Sequence, residues 1–85
     1  MSFQITFDSE AVEFLESIPK DIKERIFNKI ISTKNNPFRF FERLEGRTDF
    51  KLRIGDYRAI ADIHRSEMKI EVTRIGHRKN IYKNI

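Results

Sequence analysis

Between Phe50 and Ile63 the chain alternates apolar and polar side chains and interrupts that pattern at Gly55-Asp56. A period of two marks strands with one buried face, and a glycine opening a two-residue loop suits a type II′ hairpin turn. If Gly55-Asp56 is the whole loop, Ile54 stands opposite Tyr57, Arg53 opposite Arg58, Leu52 opposite Ala59 and Lys51 opposite Ile60. A slip of one residue would invert every side chain, so this register sorts the hairpin into two faces. Phe50, Leu52, Ile54, Tyr57, Ala59, Ala61 and Ile63 take one; Lys51, Arg53 and Arg58 take the other. Like charges directly opposite each other cost up to about 1 kcal/mol when exposed. A sheet shaped by stability alone would avoid Arg53 beside Arg58, unless both splay into solvent or borrow Asp62 and Glu71.

The flanking segments supply what covers the apolar face. Phe3 to Phe7 alternates as a strand, and Asp8 or Ser9 can cap a helix carrying Ala11, Phe14, Leu15 and Ile18 on one stripe. Pro19 ends that helix and serves as the first residue of the next, whose stripe is Ile22, Ile26, Phe27, Ile30 and Ile31, with Lys23, Arg25 and Lys29 left to solvent. Asn35-Asn36-Pro37 stops it. The two helices form an antiparallel hairpin. Residues 38–49 show no period, but Phe38, Phe40, Phe41 and Leu44 predict a connection packed on the core. A third strand runs from Met68 to about Ile75. The expected class is α+β: an N-terminal strand and a two-helix hairpin packed on a C-terminal antiparallel sheet, in a single domain spanning 1–85.

Charge is unevenly placed. Residues 1–42 hold six Lys/Arg and seven Asp/Glu, a balance of −1; residues 43–85 hold eleven and six, a balance of +5. The basic half therefore coincides with the sheet and points to a polyanion partner. With no cysteine, disulfides and thiolate metal sites are excluded, and His64 and His77 alone do not make a zinc site. No metal or other cofactor is expected. No apolar run reaches bilayer-spanning length and the N-terminus lacks a signal-peptide layout, so the expectation is a cytoplasmic protein without a membrane partner.

After the third strand comes Ile75-Gly76-His77-Arg78-Lys79-Asn80-Ile81-Tyr82. Glycine lets the chain leave the strand; a titratable imidazole, two cations and an aromatic able to stack on a base follow. Arg74 extends the same cluster. Phosphate oxygens suit such a grouping, since Arg offers two parallel hydrogen bonds and Lys a compact charge. Read blandly, Ile81 and Tyr82 pin the chain end to the sheet, and His64 is a surface residue.

Lys51-Leu52-Arg53-Ile54-Gly55-Asp56-Tyr57-Arg58, followed by Gly76-His77-Arg78-Lys79-Asn80-Ile81-Tyr82, resembles the RelE branch of the RelE/ParE toxin superfamily across nearly the whole chain. The resemblance implies the toxin of a toxin–antitoxin pair, partnered by a RelB-like antitoxin and acting on messenger RNA in the ribosomal A site. It implies metal-independent cleavage, in which the 2′-hydroxyl attacks the adjacent phosphate to leave a 2′,3′-cyclic phosphate and a 5′-hydroxyl. Carried over by position, Arg58 is the phosphate-stabilising arginine, Arg78 lies near the leaving group, Tyr82 stacks on or orients substrate, and Lys51 is one of two lysines credited as base. The second lysine position is Asp49 here, and His77 is the candidate to fill that gap. Arg53, Arg74 and Lys79 are expected to bind RNA. The alternatives are a non-enzymatic DNA gyrase poison of the ParE kind, or an inactive module that holds RNA or antitoxin.

Overall fold

The computed structural model describes residues 2–81. Its elements are β1 (Gln4–Phe7), α1 (Ser9–Glu16), α2 (Lys20–Ser32), α3 (Pro37–Phe40), β2 (Glu42–Arg43), β3 (Phe50–Ile54), β4 (Tyr57–His64) and β5 (Lys69–His77). The strands form one sheet in the order β1-β5-β4-β3-β2. All neighbours are antiparallel except β1, which runs parallel to β5. The sheet is therefore mixed, and the N-terminal strand is its edge.

The β3–β4 register is the one the sequence dictates, from Ile54↔Tyr57 to Phe50↔Ala61. Gly55 holds φ +59° while Asp56 keeps an ordinary negative φ, the combination a type II′ turn requires. Leu52, Ile54, Ala59 and Ala61 point inward and pack with Ala11 and Leu15 of α1, Ile26 and Ile30 of α2, and Ile70, Val72 and Ile75 of β5. Ala59 and Ala61 are fully buried, and their small side chains let the helices approach the sheet closely. Each large aliphatic buried there contributes about 1.5–3 kcal/mol.

Several boundaries differ from the sequence reading for local reasons. Pro19 precedes α2 as its cap, its carbonyl accepting from the Lys23 N–H at 2.9 Å, instead of being the first helical residue. Asp8 does not cap α1 with its side chain; the carboxyl turns to Glu71 instead. The connection after Pro37 holds two unforeseen short elements, α3 and β2. Phe38 of α3 packs edge-on to Phe3 and Phe50, at ring separations of 6.2 and 5.8 Å, which closes the core at that end. Among the described residues no helix is long and apolar enough to cross a membrane.

Candidate functional site

The β3–β4 turn organises the site. Arg58 is directly paired with Arg53, but the two do not splay alike. Arg53 is exposed, whereas Arg58 is only 7% exposed, and its Nη1 donates to the carbonyls of Gly55 at 2.7 Å and Tyr57 at 2.8 Å. The like-charge pair is relieved by these carbonyls, not by Asp62 or Glu71. Both contacts come from one nitrogen, Nη1, which fixes the guanidinium at the turn. A guanidinium held this way by backbone carbonyls is a preorganised donor group.

Three further cations surround this anchor. Lys51 lies on the same face, opposite Ile60 of β4 and Glu42 of β2. As a diagonal cross-strand neighbour it stands about 7–8 Å from Arg58, Cα to Cα. Arg78 is tied to the turn from the other side: its main-chain N–H donates to the Asp56 carbonyl at 2.8 Å. Its Nε lies 3.7 Å from Asp56 Oδ1, and its side chain remains 54% exposed. Arg25 comes from α2, and a Cβ built on Gly55 would stand 2.9 Å from its Nη2. The sequence reading left Arg25 to solvent. No periodicity could have found it, because its place depends on how the helical hairpin crosses the sheet.

A bulge in β5 decides what else joins the cluster. The pairs Ile60↔Arg74 and Ala61↔Val72 leave Thr73 as an extra residue. That residue inverts the alternation, sending Ile75 and His77 inward and Gly76 outward. His77 accordingly pairs with Tyr57, their rings 5.5 Å apart edge to face, on the side opposite Arg58. Its Nδ1 accepts the Lys79 N–H at 3.2 Å. Arg74 leans towards α1, its Nε 3.6 Å from Glu10 Oε1, and Lys79 is exposed on the turn that follows. Tyr82 lies outside the described residues.

Gly76 does not release the chain from the strand as expected; it sits inside β5, opposite Arg58. Its missing side chain is a seat. A Cβ there would stand 3.0 Å from Ile81 Cδ1 and 3.5 Å from Ile81 Cβ. Ile81 is 1% exposed and Ile60 3%, although both lie on the face away from the helices. The turn from Arg78 to Ile81, closed by Asn80 and Ile81 N–H bonds to the His77 carbonyl, is thus fastened over the outer face beside Arg58.

Asp49, at the position of the missing lysine, has a partner of its own. Arg47 Nε and Nη2 each donate to it at 2.8 Å, and that hydrogen bonding holds its carboxyl below the ordinary 3.8 against the effect of burial. At the far end of the outer face, His64 Nε2 lies 3.2 Å from Glu71 Oε1. His64, followed by Asp8, holds Glu71 below its ordinary 4.5. Asp8 itself is raised, first by desolvation and then by sharing a hydrogen bond with Glu71. Among the described residues no three histidine or carboxylate side chains come together as a metal site would require.

The sequence model of the family described as the ParE toxin of the type II toxin–antitoxin system parDE matches residues 5–82. No individual curated protein matches the sequence. Among solved structures, the chain is similar to one in the RelBE2 toxin–antitoxin complex from Mycobacterium tuberculosis, at 21% identity and TM-score 0.82, covering 91% of this chain and 99% of that one. It is also similar to one in the archaeal RelE–RelB complex from Pyrococcus horikoshii, at 23% identity and TM-score 0.79, covering 94% and 99%. A third match, in the RelB–RelE complex from Methanococcus jannaschii, has 25% identity and TM-score 0.70, covering 93% and 96%.

Proposed function

The chain belongs to the ParE toxin family of type II toxin–antitoxin systems, within the RelE/ParE superfamily, and on that premise we propose that it is a ribosome-dependent endoribonuclease that cuts messenger RNA in the A site. The observation that carries this reading is the gathering of Lys51, Arg53, Arg58 and Arg78 at one end of the sheet, with the guanidinium of Arg58 fixed by two turn carbonyls. A gyrase poison has no need of such a fork. A phosphodiester whose phosphorus is about to become five-coordinate does, because negative charge builds on its non-bridging oxygens.

In this reading the 2′-oxygen bonds to phosphorus as the bond from phosphorus to the 5′-oxygen breaks. The proton of the 2′-hydroxyl passes to Lys51 in its neutral amine form, and the leaving 5′-oxygen, hydrogen-bonded by Arg78, takes its proton from a water molecule. Arg58 holds the phosphoryl oxygens, Arg53 and Lys79 bind flanking RNA, and Tyr82 stacks on or orients the substrate. Arg74, turned to Glu10, is assigned a lesser share in RNA binding. His77 is assigned to shaping the turn through its contacts with Tyr57 and Lys79, which leaves Lys51 as the base. The partner is a RelB-like antitoxin; the similar solved structures named above are of toxin–antitoxin complexes.

Incubating the protein with programmed ribosomes and mapping transcript ends tests the reading. Cleavage within the A-site codon, with a 2′,3′-cyclic phosphate on the upstream fragment, is expected; an intact codon at high toxin concentration would sink it. A gyrase poison is the second reading, favoured by the match to the ParE family. Inhibition of DNA supercoiling, without cleavage on ribosomes, would decide for it.

A further inference from the structure

We infer that Arg25 is a further phosphate-binding residue, which extends the RNA path from the outer face of the sheet, around the Gly55-Asp56 turn, to α2. This rests on the ribonuclease reading and adds a residue that neither the motif nor the hairpin register contains.

The argument starts from the space at Gly55. Its backbone must adopt positive φ for the turn, and the absence of a side chain leaves room that Arg25 Nη2 occupies, 2.9 Å from where a Cβ would be. The Gly55 carbonyl is also the acceptor for Arg58 Nη1. Two guanidinium groups from different elements therefore meet at one residue, and Arg78 is tied to the next, Asp56. Arg25 is exposed, and among the described residues no carboxylate lies within 4 Å of it.

Arginines that serve the fold find a partner inside it, Asp49 for Arg47, Glu10 for Arg74 and the Phe38 ring for Arg65, and among the described residues Arg25 has neither a carboxylate nor a ring. Bringing a third guanidinium to a turn that already carries two is unfavourable without an anion, and a nucleic acid backbone presents one phosphate per nucleotide. A strand whose scissile phosphate lies on Arg58 must continue past the cluster in one direction or the other. Around the turn it meets Arg25, which is placed to hold a flanking phosphate.

The test uses single-turnover cleavage of messages on programmed ribosomes, each message carrying one uncharged methylphosphonate at a position flanking the cut. Cleavage by the unmodified protein is measured first; if there is none, the ribonuclease reading fails and this inference with it. Given cleavage, Arg25→Gln is expected to raise the half-saturating toxin concentration about tenfold, the range for a charged hydrogen bond, with the saturating rate within about twofold. One flanking methylphosphonate should weaken the unmodified protein by the same factor and leave Arg25→Gln unaffected, and Arg25→Lys should fall between. Equal half-saturation for Arg25→Gln and the unmodified protein would overturn the inference, as would methylphosphonate effects of the same size in both.

Discussion

The outer face of the sheet carries charge at both ends, and the two ends treat it differently. Around the Gly55-Asp56 turn stand Arg25, Arg53, Arg58 and Arg78. Among the described residues only Arg78 has a carboxylate within 4 Å, Asp56 at 3.7 Å. At the far end His64 lies 3.2 Å from Glu71 and 3.8 Å from Glu67, while Asp8 shares a hydrogen bond with Glu71. Both ends ride on the same two strands: Arg58, Ile60, Asp62 and His64 follow one another along one face of β4. At the far end each charge has an opposite or proton-sharing partner inside the molecule. The unmatched end leaves its cations for the anion that the proposed function calls for.

The comparison is most easily broken at Arg58. Arg58→Ala removes the only cation of the cluster that is both buried and fixed by carbonyls, and the cleavage rate on programmed ribosomes is expected to fall about a hundredfold to a thousandfold. Arg58→Lys should restore little, because an ammonium cannot bind both turn carbonyls and still offer a planar edge. Retention of full rate by either variant, with the fold intact by circular dichroism, would mean that the matched and unmatched ends do not differ in function.

The next effect concerns the seat at Gly76. Gly76→Ala places a Cβ 3.0 Å from Ile81 Cδ1 and must push the turn carrying Arg78 away from the sheet. A displacement of that kind is expected to lower the cleavage rate about tenfold, while crowding costs about 1–3 kcal/mol of stability. Combining it with Ile81→Val, which removes the methyl concerned, should recover most of the rate. Failure of the pair to recover would show that Gly76 acts through its backbone and not as a seat.

These positions mark the limit of what the sequence could disclose. The hairpin register was legible in full, because one loop of two residues fixes every pair that follows it. The α+β class and the helical hairpin were legible from periodicity. The faces of β5 were not: a single extra residue at Thr73 inverts the strand, and nothing in Lys69–His77 announces where that residue falls. His77 was for that reason grouped with Arg78 on one surface, whereas its ring rests against Tyr57 on the other. Arg58 looked like an exposed cation, since a hydrogen bond to a carbonyl three residues back leaves no trace in a polar–apolar pattern. Arg25 depended on a helix-to-sheet crossing, and the Asp49–Arg47 pair on a loop without period.

That pair gives a smaller, structural effect. Arg47→Ala leaves a largely buried carboxylate without its bidentate partner, so the melting midpoint near neutral pH should fall while cleavage is unchanged. Asp49 is held below 3.8, so the stability it contributes is present above that value and lost as pH falls through its lowered value. The deficit of Arg47→Ala should therefore shrink on acidification. A constant deficit down to about pH 2, below both states' titration, would mean that the loss comes from packing of the Arg47 stem.

The smallest effect lies at the matched end, and it can be separated by its dependence on pH. Asp8 is raised above 3.8, so its contribution to stability is intact below that value and is lost as pH rises through its folded value. Glu71 is lowered from 4.5; its contribution is present above that value and is lost as pH falls through its folded value. The pair is thus most favourable in the mildly acidic interval where one proton is shared between the two carboxyls. Asp8→Asn should remove the loss on the alkaline side of that interval, and Glu71→Gln the loss on the acidic side. Melting midpoints followed from about pH 3 to 8 check both, with cleavage near neutral pH unchanged in each. A parallel displacement of the whole curve in Asp8→Asn would show that the carboxyl acts on α1 through the helix dipole and not through Glu71. A fall in cleavage from either substitution would mean that charge at the matched end reaches the site, and that the two ends of the sheet are not separate.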